Sequence, residues 1–161
     1  MQGSQNIKRI IVKLTDQSPS GFAVAFHIRF TTPDYLFQTY SKAWIAIYSQ
    51  NGMVMHDPTV HWGFQNTGTV RWSALADQDT IGIYEQAKPY GLVYGFACAV
   101  ESGGTRSVAG FARADREFTD AEMTAIQADV MHLHVETAAV GAMSPELREE
   151  LRQMSIQYTH P

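Results

Sequence analysis

Hydrophobic and polar positions along this chain follow two periods, and the switches between them predict its elements. Ile7, Ile10, Ile11 and Leu14 recur at helical spacing, predicting a helix over residues 6–16 that Ser18-Pro19-Ser20-Gly21 ends. From Phe22 to Phe30, large apolar residues alternate with small or polar ones, the period of a strand with one buried face. Thr31-Thr32-Pro33-Asp34 is a turn signal, and Tyr35-Leu36-Phe37 reads as the returning strand of a hairpin. A second helical stripe follows. Tyr40, Trp44 and Tyr48 fall at i, i+4 and i+8, with Ala43 and Ile47 beside them, and Asn51-Gly52 supplies the stop because glycine takes the left-handed conformation such ends require.

The middle of the chain is less regular. The pattern predicts a short helix over residues 61–67, an extended stretch over 68–72, and a helix from about 77 to 88 that Pro89 terminates. Strands over 92–101 and 107–114 flank Ser102-Gly103-Gly104-Thr105, a hairpin loop. Thr119 and Glu122 form a capping box that opens a long helix with the stripe Met123, Ile126, Val130, Leu133 and Val140. Met143-Ser144-Pro145-Glu146 with Leu147, Leu151 and Met154 then starts one more amphipathic helix, with a Ser cap and Pro at the first helical position. Antiparallel hairpins between early and late helices give an α+β class.

Composition narrows this to one core. At 161 residues and 45% hydrophobic content the chain supports a single sizeable domain, here assigned to residues 1–142, with 143–161 a C-terminal amphipathic helix or a remnant linker. A net charge of −4 and a pI near 5.8 argue against a general phosphate-binding surface. The single cysteine, Cys98, lies in an apolar strand, so no intrachain disulfide forms, as suits a reducing cytoplasm. No long hydrophobic leader and no transmembrane stretch is present in the sequence, and a cytoplasmic location is expected.

An aromatic stripe alone specifies only packing; Asp57 changes that reading. A carboxylate one short loop after an aromatic wall accepts a hydrogen bond from a ligand N–H, whereas tyrosine hydroxyls and an indole N–H donate to carbonyl oxygens. That set suits a small amphiphile with amide and ester groups. Competing chemistry is thin. His132 and Glu136 offer a two-ligand face only, His56 and His61 lack a nucleophile, Cys98 lacks cationic company, and Gly103-Gly104 lacks the lysine of a phosphate loop. Neither a metal nor a cofactor is expected.

Tyr40-x3-Trp44-x3-Tyr48-x8-Asp57-Pro58-Thr59, Trp72 fifteen positions after the acid, and Gly91-Leu92-Val93-Tyr94-Gly95 together resemble the autoinducer-binding domain of LuxR-type quorum-sensing regulators, over about residues 20–142. The resemblance implies an α-β-α sandwich around a mainly antiparallel five-stranded sheet, with ligand between the sheet and one helical layer. It also implies roles. Trp44 donates its indole N–H to the lactone carbonyl of an N-acyl-homoserine lactone, Asp57 accepts the amide N–H, and Tyr40 donates to the acyl carbonyl. Tyr48 and Trp72 enclose the ligand, and Thr59, from the same motif as Asp57, is counted with the ligand-binding residues. Two points stay open: Arg113 faces either the acyl cavity or solvent, the strand-end position favouring solvent, and Phe22, Val24, Phe26 and Ile28 form either the acyl wall or plain core.

LuxR-type regulators normally continue into a helix-turn-helix domain; this sequence stops at Pro161, which reads either as a stand-alone ligand-binding protein or as a fragment. The expectation is therefore a non-enzymatic, cytoplasmic receptor for acyl-homoserine lactones, forming a homodimer or a heterodimer with a LuxR-type regulator and not binding DNA by itself. Two other classes remain: an interaction protein that inhibits full-length regulators with ligand only structural, and a lactone-degrading enzyme.

Overall fold

A computed structural model describes residues 2–30, 32–139 and 144–161. Thr31, Val140 and the expected boundary at 142–143, with Met143, lie outside the described residues. The elements in order are α1 (Gln2–Gln17), β1 (Gly21–Arg29), β2 (Thr32–Gln38), α2 (Lys42–Gln50), α3 (Pro58–Gln65), β3 (Gly68–Arg71), α4 (Trp72–Leu75), α5 (Ile83–Ala87), β4 (Tyr94–Ser102), β5 (Thr105–Arg113), α6 (Asp120–Ala139) and α7 (Pro145–Tyr158). The strands form one antiparallel sheet in the order β2-β1-β5-β4-β3. Helices α1, α6 and α7 cover one face and α2 to α5 the other, so the α-β-α sandwich implied by the family resemblance is the observed fold.

Register sorts the strand residues onto two unlike faces. Phe22, Val24, Phe26, Phe96, Cys98, Val100 and Phe111 point to α1 and α6 and form the main core with Ile7, Ile11, Ile126 and Leu133. The intervening positions, Ala23, Ala25, Gly95, Ala97, Ala99, Gly110 and Ala112, pair with one another or, for Ala25 and Ala99, with Val108, and so share the opposite face. Phe22, Val24 and Phe26 are thus plain core. Ile28 is not: the register shifts between Ala25 and Ile28 around His27, whose φ is 51°, and this bulge turns Ile28 to the other face.

Several boundaries differ from the sequence expectation, each for a local reason. Tyr40 lies in the β2–α2 crossover, ahead of Ser41 at the helix cap, so the helix begins two residues later and Ala43 faces solvent. Helix α3 starts at Pro58 rather than 61, because Asp57 caps it by accepting the Thr59 N–H at 2.9 Å and Pro58 occupies the first helical position. The helix expected over 77–88 is broken at Gly82, φ 74°, leaving only Ile83–Ala87 as α-helix. Trp72 begins the one-turn helix α4 instead of ending a strand.

Other signals hold. Gly103 and Gly104, φ 64° and 85°, form the two-residue β4–β5 turn, which requires positive φ at both positions. Thr119 and Glu122 exchange both bonds of the capping box, at 3.1 and 2.8 Å. Ser144 caps α7, whose Leu147 and Leu151 enter the main core. Its apolar stripe is therefore used within this domain.

Candidate functional site

The small-residue face of the sheet sets the site. Where one face carries phenylalanines and the other alanines and glycines, the second leaves volume that helices spanning from the sheet edges do not fill. A cavity of about 400 Å³ lies there, within the size range of small-molecule sites. Its floor is Ala23, Ala25, Val108 and Gly110, and its roof comes from α2, α3, α4 and α5.

All six residues singled out from sequence, Tyr40, Trp44, Tyr48, Asp57, Thr59 and Trp72, line this cavity. Their approach is fixed by backbone. Tyr40 leaves the crossover and reaches Gly110, where even a methyl group placed on the glycine would sit 3.0 Å from the tyrosine oxygen. Trp72 lies on Gly95, where a Cβ would meet the indole at 2.5 Å, so glycine at 95 is a requirement of the ring's position. Trp44 and Tyr48 come from successive turns of α2 with ring centroids 6.1 Å apart, edge to face.

Asp57 is 9% exposed and held by two donors: the Tyr48 hydroxyl at 2.7 Å on Oδ2 and the Thr59 amide at 2.9 Å on Oδ1. Burial pushes its pKa up from the ordinary carboxylate value, and the bonds from Tyr48 and Thr59 oppose that rise. Each carboxylate oxygen keeps a second lone pair for a ligand donor. Burial, and after it the nearby Asp57, push the Tyr40 and Tyr48 hydroxyls far above their ordinary value, so both remain protonated donors across the physiological range. Tyr48 is committed to Asp57. The Tyr40 hydroxyl and the Trp44 indole N–H have no hydrogen-bond partner among the described residues, and neither is sealed in the protein interior.

One wall escaped the sequence reading. Tyr84 stacks on Trp72, centroids 5.3 Å apart and 15° between planes, and its hydroxyl is 2.7 Å from Thr59 Oγ1. Asp79 holds this segment by accepting the amides of Ile83 and Tyr84, each at 2.9 Å. The region has no regular period, so nothing in the spacing places Tyr84 beside Thr59. The alanine and glycine floor, by contrast, has a signal in the large–small alternation of β1 and β4.

The cavity is polar at one end only. Asp57, Tyr40, Trp44 and Trp72 gather near the Gly110–Ala112 level of the sheet, and Ile28, Pro33, Leu36, Phe64 and Val108 continue it along the strands as apolar surface. Arg113 takes neither orientation left open above. Its side chain is 13% exposed, donates to Asp115 and to the Gln17 carbonyl, and lies over the Phe118 ring on the far face of the sheet. His56 and His61 are exposed and do not line the cavity. Burial pushes the Cys98 thiol up to about 12, leaving it a small apolar residue of the core.

Residues 8–139 match the family model of the autoinducer binding domain. No curated protein matches the chain. Among solved structures, the chain is similar to the N-acylhomoserine-lactone-dependent LuxR-family transcription factor CepR2 from Burkholderia cenocepacia, at 18% identity and TM-score 0.61, covering 81% of this chain and 79% of that one. SdiA in complex with octanoyl-rac-glycerol gives 18% identity and TM-score 0.67, covering 98% and 71%. A solution structure of E. coli SdiA gives 18% and 0.65, covering 84% and 86%.

Proposed function

We propose, for a chain that belongs to the LuxR-type autoinducer-binding domain family, that it is a non-enzymatic cytoplasmic receptor for N-acyl-homoserine lactones. The carrying observation is the acceptor Asp57 with unpaired donors on Tyr40, Trp44 and Trp72 at the polar end of an otherwise apolar cavity. Asp57 takes the ligand amide N–H, Tyr40 donates to the acyl carbonyl, Trp44 donates to the lactone carbonyl, and the acyl tail runs over Ala25 toward Ile28 and Pro33. Tyr48, Thr59, Trp72 and Tyr84 brace these groups and enclose the head. The octanoyl-glycerol bound to SdiA presents the same classes of group, a hydroxyl donor and an ester carbonyl on an acyl chain, and is the second ligand to test.

In this reading the chain pairs with a second copy or with a LuxR-type regulator, and the signal reaches DNA through the regulator, since an acidic chain has little to offer phosphates. Mass spectrometry of protein expressed with and without N-octanoyl-homoserine lactone tests the ligand. The lactone should co-purify intact and, at a hundredfold excess over Kd, stabilise the fold by about 2.7 kcal/mol. A ring-opened product in solution makes the chain a lactonase instead. A melting temperature indifferent to short- and long-chain lactones and to octanoyl-glycerol, with a full-length regulator co-purifying, makes it an interaction protein.

A further inference from the structure

The residues on either side of Tyr40 are tied down by the far end of the chain. Thr39 is fully buried and Ser41 nearly so. On one side, β1 holds Thr39: its amide donates to the Phe22 carbonyl at 2.9 Å, and its hydroxyl accepts the Phe22 N–H at 3.1 Å. On the other, residues 159–161 run parallel to the crossover. The His160 amide donates to the Thr39 carbonyl at 3.2 Å, the Lys42 amide donates to the His160 carbonyl at 2.9 Å, and the Ser41 hydroxyl donates to the Pro161 carbonyl at 3.1 Å.

The His160 ring closes this arrangement. Its Nδ1 is 2.8 Å from the Thr39 carbonyl and its Nε2 is 2.6 Å from the Pro19 carbonyl, so one side chain bridges the crossover to the turn that precedes β1. Both partners are acceptors only. The doubly protonated ring makes both bonds and the neutral ring one. Every polar group that fixes the outer side of the Thr39–Lys42 backbone thus comes from the C-terminal segment, and Tyr40, carried by that backbone, presents an unpaired donor to the cavity.

We infer that residues 159–161 act as a clasp that sets Tyr40 in the ligand cavity, with His160 its positioning residue, so that ligand binding and docking of the C-terminal segment are coupled. The coupling is reciprocal: a ligand engaging Tyr40 tightens the clasp, and a partner that draws the segment away loosens the ligand. The affinity arm of the test rests on the lactone reading above; the positional arm does not.

The affinity arm is a double-mutant cycle read by calorimetry with N-octanoyl-homoserine lactone. His160→Ala should weaken binding about 3- to 10-fold in the wild-type background and less than about 2-fold in a Tyr40→Phe background, because the hydroxyl it positions is already gone. Equal losses in both backgrounds overturn the inference. The positional arm places 3-fluorotyrosine at 40 or at 48 and records fluorine spectra without ligand. His160→Ala should shift or broaden the signal at 40 and leave that at 48 in place; an unmoved signal at 40 overturns the clasp. Ser41→Ala is the milder variant should His160→Ala not fold. Ser41 makes no side-chain cap bond to α2, so this change deletes only the bond to Pro161, and the same selective response at 40 is expected. If the wild type binds no lactone while the fluorine signal at 40 responds, the functional reading falls and the clasp stands.

Discussion

Asp57→Asn separates two duties that one carboxylate performs, and the structure gives the size of each. In the free protein Oδ1 caps α3 through the Thr59 N–H and Oδ2 accepts the Tyr48 hydroxyl. Asparagine caps as well as aspartate, so the first bond survives. The second survives with its direction reversed, because a phenol oxygen accepts from the new amide as readily as it donated to the old carboxylate. Burying a charge is also avoided, which is the cost that raises the Asp57 pKa. Stability of the free protein should therefore change by no more than about 1 kcal/mol.

Ligand binding meets a different balance. An N–H aimed at the carboxylate loses a charge-assisted bond, worth about 1.5–3 kcal/mol, and the NH2 group now facing it offers a donor where an acceptor stood. Kd for N-octanoyl-homoserine lactone should rise about 10- to 150-fold. Isothermal calorimetry measures the affinity and urea unfolding the stability, with Phe30→Leu as the control because Phe30 is fully exposed. Asp57→Ala provides the contrast: it removes the cap and strands Thr59 N–H and Tyr48, costing the fold about 1–2 kcal/mol as well. Wild-type affinity in Asp57→Asn refutes the placement of the ligand amide at Asp57.

Trp44→Phe keeps most of the ring contact and deletes the unpaired donor, so affinity for the lactone should fall while urea unfolding of the free protein is little changed. A cyclopentyl analogue that binds wild type as tightly as the lactone would show that the indole meets no carbonyl. Gly95→Ala drives a methyl group into the indole of Trp72 and should cost about 1–3 kcal/mol in unfolding free energy together with lactone affinity; an unchanged crystal position of Trp72 would contradict this. His27 gives the acid limb of stability. Burial first, then the stacked His134 ring 4.3 Å away and Arg29, lower its pKa against the opposing pull of Asp34, so its contribution is complete above about pH 6.5 and is lost as pH falls below that value toward the folded-state pKa. The unfolding midpoint should drop between pH 7 and pH 5.5, and His27→Gln should flatten the slope. A slope unchanged by that substitution assigns it elsewhere.

Period and punctuation made most of the fold legible. Ile7, Ile10, Ile11 and Leu14 are all buried as their spacing requires, and the capping box at Thr119 and the double glycine at 103–104 do what their chemistry dictates. The misses occur where one residue serves two ends. Asp57-Pro58 offers a carboxylate, but Asp followed by Pro is also a cap and first-turn pair, and the one side chain both starts α3 and lines the cavity. Tyr40 continued a helical spacing that begins only at Lys42; its place in the site comes from the crossover and from contacts 120 residues away, as between Ser41 and Pro161, which no local pattern encodes. The bulge at His27 reversed the facing of Ile28, since one extra residue inverts a period of two.

The cavity itself was written in the strands. An antiparallel strand buried on both faces normally carries large residues on both, because an unfilled interior loses van der Waals contacts outright. Here β1 and β4 put phenylalanine, valine or cysteine on one face and alanine or glycine on the other, and β5 sets Gly110 and Ala112 against them in register, so that small meets small across the strand pairs: Ala23 with Gly110, Ala97 with Gly110, Gly95 with Ala112. Random variation in residue size would scatter over both faces. Concentrating the deficit on one of them leaves volume there, beneath elements rich in tyrosine and tryptophan. In the proposed reading the guest supplies apolar surface along Ala25 and Val108 and meets Asp57, Tyr40 and Trp44 at its end. Fold and ligand recognition therefore rest on the same alternation, one face of each strand specifying the hydrophobic core and the other the shape of what the domain holds.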